Sequence, residues 1–260
     1  MKNVCLKAVS MFSLVCVVVF LLFAMFRSSN EHAALRTLPK NMLWAWERNE
    51  DLQWLEPESG VAYVACVVEL QGDKAMVRPR QQQLLVRDDT AVIPVVHVDA
   101  IRGNPTLSNT QITAIVDQTL AVARRGTRNV VQLDFEAKKS QRPSLLTVIK
   151  SIRQQLPAKI ALSMTTLASW CAGDYWLEPL PVDEIVPMAF RMGGDNRRIR
   201  ILLDVKGGFP HERCRQAVGV ATDEAVVSLA AGRRYHFSPV AWQASAWRAW
   251  QKNNEGVKIE

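Results

Sequence analysis

Eight short apolar runs recur along the chain, at 43–47, 61–70, 91–98, 129–136, 160–165, 184–191, 217–221 and 234–237. Several are continuous rather than alternating, as strands buried on both faces must be. Most of the gaps between them carry helical periodicity. Asn109 suits the N-cap of a helix reaching Arg124, with Ile112, Ile115, Val116 and Leu120 on one face. Pro143 suits the first turn of another, striped by Leu146, Ile149, Ile152 and Leu156. Asp223-Glu224 is read as opening a short helix at Ala225, and Pro239 as opening the last, which carries Trp242, Trp247 and Trp250. Strands alternating with helices argue for a parallel α/β fold. Eight of them within residues 42–260 point to a TIM-like (β/α)8 barrel. One gap breaks the pattern. Glu69 to Val77 alternates around Gly72-Asp73, a tight hairpin, and Pro79 then interrupts it. The barrel is therefore expected to be irregular between its second and third strands.

The amino terminus has a different composition. Lys2 and Lys7 lead into an apolar run over 8–26, close to the ~20 residues that cross a bilayer. A cleaved signal peptide has an apolar part of only ~7–15 residues and a small-x-small cleavage site. Phe23-Ala24-Met25-Phe26 is a poor site of that kind, and Cys16 lacks the small residue that a lipoprotein signal needs before it. The expectation is an uncleaved signal anchor over 1–27, a linker over 28–41 and one domain over 42–260. The positive charge at Lys2 and Lys7 would leave that domain outside the cytoplasm. A cleaved and secreted form is the alternative.

Cys5 and Cys16 belong to the anchor, and Cys66, Cys171 and Cys214 are too few and too widely spaced for a disulfide framework. One pair forming in an oxidising compartment, or three thiols packed in the core, both remain open. The net charge of +7 comes from scattered clusters such as Arg78/Arg80, Arg124/Arg125/Arg128, Arg197/Arg198/Arg200 and Arg233/Arg234. They read as solvated loops and helix ends, or as attraction to an anionic polymer or a lipid surface. No aromatic-basic motif of a nucleic-acid reader is present, so no nucleic-acid partner is expected.

The stretch from Asn129 to Ala137 carries the chemistry. Side chains alternate along a strand, so Gln132, Asp134 and Glu136 share one face and Val131, Leu133 and Phe135 the other. An unpartnered buried carboxylate is costly, so a polar row ending in two acids should face a cleft. In a barrel of this kind the active site lies at the carboxyl ends of the strands. Those ends carry Trp46, Glu47 and Arg48, then His97 and Asp99, then Asp134 and Glu136, with Trp170, Arg191, Asp223 and Glu224 following later strands. Carboxylates bind hydroxyl groups and move protons, and indole faces stack on sugar rings. That mix suits a carbohydrate. The candidate catalytic residues are Glu136 and Asp134, and the candidate substrate-binding residues are Trp46, Glu47, Arg48, His97, Gln132, Trp170, Arg191 and Asp223.

The spacing Asn129-x-x-Gln132-x-Asp134-x-Glu136 resembles the Asp-x-x-Asp-x-Asp-x-Glu strand of the chitinase-like glycoside hydrolases, also on a fourth strand. That resemblance implies that Glu136 is the general acid and that Asp134 orients the substrate. Asn129 and Gln132 stand where that family has acids. Met188-Ala189-Phe190-Arg191 stands where it carries Met-x-Tyr-Asp, so Phe190 replaces the Tyr. A wider similarity rests on Trp44-Ala45-Trp46-Glu47-Arg48, Gln132 to Ala137, Leu167-Ala168-Ser169-Trp170-Cys171 and Val186 to Gly193. These segments resemble a bacterial family known as domain of unknown function 3142. The likeness implies a bacterial source, and with the anchor it places the domain in the periplasm, on the inner membrane.

Two functions follow. The first is a glycoside hydrolase acting on an envelope or extracellular polysaccharide, with Glu136 protonating the leaving oxygen from a partly apolar pocket. The second is a non-catalytic glycan-binding barrel that uses the same rim. A zinc-dependent deacetylase fits less well, because His32, His97, His211 and His236 show no close pairing. No metal or cofactor is expected, and the expected partners are carbohydrate and, through the N-terminal helix, the membrane.

Overall fold

A computed structural model describes residues 31–100, 104–135, 137–227, 229 and 232–254. The expected anchor over 1–27 lies outside the described residues, as does Glu136. No described helix is long and apolar enough to cross a membrane.

The strands are β1 (Asn41–Ala45), β2 (Glu50–Asp51), β3 (Ser59–Gln71), β4 (Lys74–Pro79), β5 (Leu84–Leu85), β6 (Ala91–Asp99), β7 (Val130–Phe135), β8 (Ala161–Leu167), β9 (Glu184–Met188), β10 (Ala217–Ala221) and β11 (Arg233–Phe237). The order β1-β11-β10-β9-β8-β7-β6-β3 is parallel throughout. A parallel β1–β3 pairing closes it into an eight-stranded barrel. The expected barrel is present, and so is its irregularity. β4 runs antiparallel on β3, with Gln71 opposite Lys74 and Gly72 at φ 54, so a hairpin stands where a helix would cover β3. The hairpin tip docks on the next helix, where the Gln111 side chain donates to the carbonyls of Gly72 (3.1 Å) and Lys74 (2.7 Å).

Strand alternation sorts the side chains into two layers. Met42, Trp44, Ala62, Val64, Ile93, Val95, Val186, Tyr235 and Phe237 fill the barrel interior. Val131, Leu133, Phe135, Leu162, Met164 and Ile185 face outward, beneath the helices. A bulge between Val64 and Cys66 resets this parity in β3, which turns Val67 inward and Cys66 outward.

Several boundaries differ from the sequence expectation. The Asn109–Arg125 helix is capped by Ser108, not Asn109, because Ser108 and Gln111 form a reciprocal capping box. In the Arg142–Gln155 helix the buried face is Leu145, Val148, Ile149 and Ile152. Leu146 is only partly buried against that core. No helix opens at Ala225, because Glu224 is engaged by Arg191 and Arg200. A helix follows β9 instead, over Asn196–Lys206. The last helix begins at Ala244, since the irregular segment after Pro239 ties the Trp242 backbone N–H to Glu50 (2.8 Å). Part of the stretch expected as a linker is structural. Ala33–Arg36 forms a helical turn, and Leu35 and Leu38 pack into the lower end of the barrel. Cys171 and Cys214 form a disulfide with Cα atoms 5.9 Å apart, while Cys66 is a buried thiol whose pKa burial pushes up to about 11.

Candidate functional site

Asp134 projects into the barrel from the carboxyl end of β7. It is only 3% exposed, a position that demands partners. Both carboxylate oxygens have one. Thr165 on β8 donates its hydroxyl to Oδ1 at 2.5 Å, and Nδ1 of His97 lies 2.7 Å from Oδ2. The register supplies the second contact directly, because His97 on β6 sits opposite Asp134. The Asp134 contact at Nδ1 thereby fixes the orientation of the imidazole. The Trp46 ring stands edge-on to the imidazole, with centroids 5.7 Å apart.

Beside this polar corner lies an aromatic floor. Phe237 stacks on Trp44 at 4.6 Å, and Phe190 leans on Phe237 at 4.7 Å. Gly219 on β10 makes room for both phenyl rings, since a Cβ there would meet Phe237 at 3.0 Å and Phe190 at 3.3 Å. The loop carrying Trp46 is fixed from below by Arg80, which donates to the carbonyls of Trp46 (2.7 Å) and Arg48 (2.5 Å).

The other candidate residues divide clearly. Arg191 stands on the rim at φ 47, pairs with Asp223 at 2.8 Å, and lies 5.7 Å from the Phe190 ring. Its backbone N–H donates to Glu224 (2.9 Å), which also receives Arg200 (3.0 Å), and these residues edge a pocket of about 430 Å³. Glu47 pairs with Arg78 at 3.4 Å, and Arg78 also holds Glu69 at 2.6 Å. Arg48 serves as a latch. It binds Glu50 (2.6 Å) and the carbonyls of Ser238 and Pro239 (each 3.1 Å), which joins the loop after β1 to the loop after β11. Trp170 lies outside the barrel, 4% exposed, in the layer beneath the helices, edge-on to Trp176 and against Arg142. That position takes it away from the mouth.

Gln132 also faces inward, yet one layer deeper and fully buried. Its amide donates to Ser163 (2.8 Å), and the Ser163 hydroxyl donates to Glu184 (2.6 Å). Tyr235 donates to the same carboxylate (2.8 Å), and Arg233 pairs with it. Gln132 therefore belongs to a polar network that crosses the lower barrel. Three members of the mouth were not singled out in the sequence: Thr165, and the rings of Phe190 and Phe237 as a floor. The inward parity of β8 and β11 was the signal that pointed to Thr165 and Phe237.

The topology and this mouth define a closed, eight-stranded parallel α/β barrel, consistent with a TIM-like fold, with a polar corner and an aromatic floor at the carboxyl ends of its strands. No family model and no curated protein matches the chain, so the expected resemblance to domain of unknown function 3142 finds no support. The solved structures similar to it include two large bacterial enzymes. One is the spore cortex-lytic enzyme SleL of Bacillus cereus, at 14% identity and TM-score 0.44, over 70% of this chain and 51% of that one. The other is the GH36 alpha-galactosidase AgaA of Geobacillus stearothermophilus, a variant in complex with raffinose, at 8% identity and TM-score 0.46, over 88% of this chain and 43% of that one. The chain thus spans about half the length of either protein.

Proposed function

We propose that the barrel mouth binds a polysaccharide and hydrolyses a glycosidic bond, with Glu136 as general acid and Asp134 assisting. The observation that carries this reading is the setting of Asp134. It is a nearly buried carboxylate held by His97 and Thr165 beside aromatic rings, at the strand end where this fold does its chemistry. A carboxylate fixed in this way can accept a hydrogen bond from a sugar substituent without reorganising. The alternating sequence pattern is what assigns Glu136, two residues after Asp134, to the same cleft.

Four rim acids favour a second reading, a barrel that binds glycan without turnover. Glu47 and Glu69 share Arg78, Asp223 pairs with Arg191, and Glu224 pairs with Arg200. An acid in an ion pair is poorly placed to act as a second catalytic carboxylate. The two readings separate in one assay. The full-length chain is incubated with envelope glycan fragments, and products are followed by mass spectrometry for the wild type and Glu136→Gln. Loss of a general acid should slow cleavage ~10²–10⁴-fold. Cleavage at the wild-type rate in the variant removes Glu136 as the acid, and binding without products from either protein establishes the second reading.

The proposal places the protein on the bacterial inner membrane, anchored by its first 27 residues, with the barrel in the periplasm. The Cys171–Cys214 disulfide supports this, since such bonds persist in oxidising compartments. Alkaline phosphatase fused at the carboxyl terminus should be active in cells, and an inactive fusion would contradict the orientation.

A further inference from the structure

A second pocket, of about 430 Å³, opens on the rim between the loops after β10 and β11 and the Ala244–Asn254 helix. Its size falls within the range of small-molecule sites. Trp242 and Trp250 line it, and each turns its indole N–H away from the pocket and into the protein. Trp242 donates to the Trp44 carbonyl (2.9 Å) and Trp250 to Nδ1 of His236 (3.2 Å). Both rings are thereby held in fixed orientations, and what they offer the pocket is carbon surface. The edges are polar and neutral. Gln243, Asn253 and Thr222 line them, and the amides of Gln243 and Asn253 have no hydrogen-bond partner among the described residues. Each such amide both donates and accepts, as a ring hydroxyl does. The one charged lining residue, Asp223, is neutralised by Arg191 at 2.8 Å.

Rigid indole carbon beneath neutral amides fits the apolar face and hydroxyl edge of a pyranose ring. We propose that this pocket is an accessory subsite for an uncharged sugar unit of a glycan, off the barrel axis and separate from the mouth. The proposal rests on the carbohydrate reading of the protein. The pocket is one residue from the aromatic floor, because Ser238 follows Phe237, and Thr222 donates its backbone N–H to the Phe237 carbonyl (2.9 Å). A chain lying across the floor could therefore continue into it.

The test uses the full-length protein with cellotetraose and tetra-N-acetylchitotetraose as neutral probes and tetragalacturonate as the charged comparison. The indole N–H resonance of Trp250 is followed by NMR, with intrinsic fluorescence as a second signal. At millimolar concentration a neutral probe should shift that resonance. Ala246→Trp fills the pocket from an exposed helix position, and it should weaken this binding by about tenfold or more. Gln243→Ala combined with Asn253→Ala should weaken it likewise. No shift with either neutral probe, a shift unaffected by Ala246→Trp, or tetragalacturonate binding as tightly as the neutral chains would each overturn the proposal. Failure of cleavage at the mouth leaves the Trp250 signal intact, so the two readings fail separately.

Discussion

Acid should loosen the C-terminal helix through His236. This residue faces outward from β11, 4% exposed, with its ring edge-on to Trp247 at 4.8 Å. Nδ1 accepts the Trp250 indole N–H at 3.2 Å, so the ring proton sits on Nε2 and is donated to the side-chain Oδ1 of Asn41 at 3.0 Å. Protonation would place a second N–H against the Trp250 donor. Burial first, and the Arg234 charge second, push the His236 pKa down from 6.5 to about 3. The sign follows from that direction. Between pH 6.5 and 3 the unfolded chain takes up a proton that the folded chain refuses, so stability is lost as the pH falls. Each pH unit in that window costs about 1.4 kcal/mol, or about 3 kcal/mol by pH 4.5, from a total stability of order 5–15 kcal/mol. Urea unfolding at pH 7 and 4.5, for the wild type and His236→Gln, isolates this contribution, because every other titrating group is shared. The wild type should lose about 2–3 kcal/mol more than the variant. Equal losses, or NMR titration of folded His236 near 6.5, would refute the reasoning.

Three further outcomes are expected. Glu184→Gln leaves buried Arg233 with only the more exposed Glu31, at 3.4 Å, as countercharge, and should cost ~3–5 kcal/mol in urea unfolding. Adding Arg233→Met should recover part of that loss, and strictly additive costs would contradict the coupling. Gly60→Ala places a Cβ 2.6 Å from the Met42 sulfur and 2.8 Å from the Ala91 carbonyl oxygen, so thermal unfolding should show a loss of ~1–3 kcal/mol. Cys214→Ser opens a cross-link spanning 43 residues and should cost about 2–4 kcal/mol, while non-reducing peptide mapping of the wild type should recover Cys171 joined to Cys214.

The barrel was legible because parallel strands buried on both faces leave continuous apolar runs, and eight of these were spaced closely enough to close. The hairpin was legible for a local reason: Gly72 takes the left-handed conformation that its two-residue turn needs. What escaped depends on contacts between distant residues. Asp223-Glu224 has the look of a helix start, yet tertiary ion pairs with Arg191 and Arg200 claim both acids. Glu47-Arg48 has the look of a local pair, yet Arg48 reaches Glu50 and three carbonyls of the loop after β11, and Glu47 turns to Arg78. Sequence proximity carries no information about which partner wins.

Within β7 the same limit separates two residues that the pattern treats alike. Gln132 and Asp134 are inward by parity, polar and buried, but their layers differ. At the level of Gln132 the neighbouring strands contribute Ser163 and Glu184, and the network continues through Tyr235 and Arg233 toward the end of the barrel closed by Leu35 and Leu38. At the level of Asp134 they contribute His97 and Thr165, and the next neighbours outward are Trp46 and the mouth. One step of two residues along a strand carries a side chain about 7 Å, enough here to pass from a closed structural network to a carboxylate whose partner imidazole is 27% exposed. A polar row on a buried strand therefore locates a candidate site only to within one layer. The groups contributed by the adjacent strands decide which member of the row is structural, and they single out Asp134.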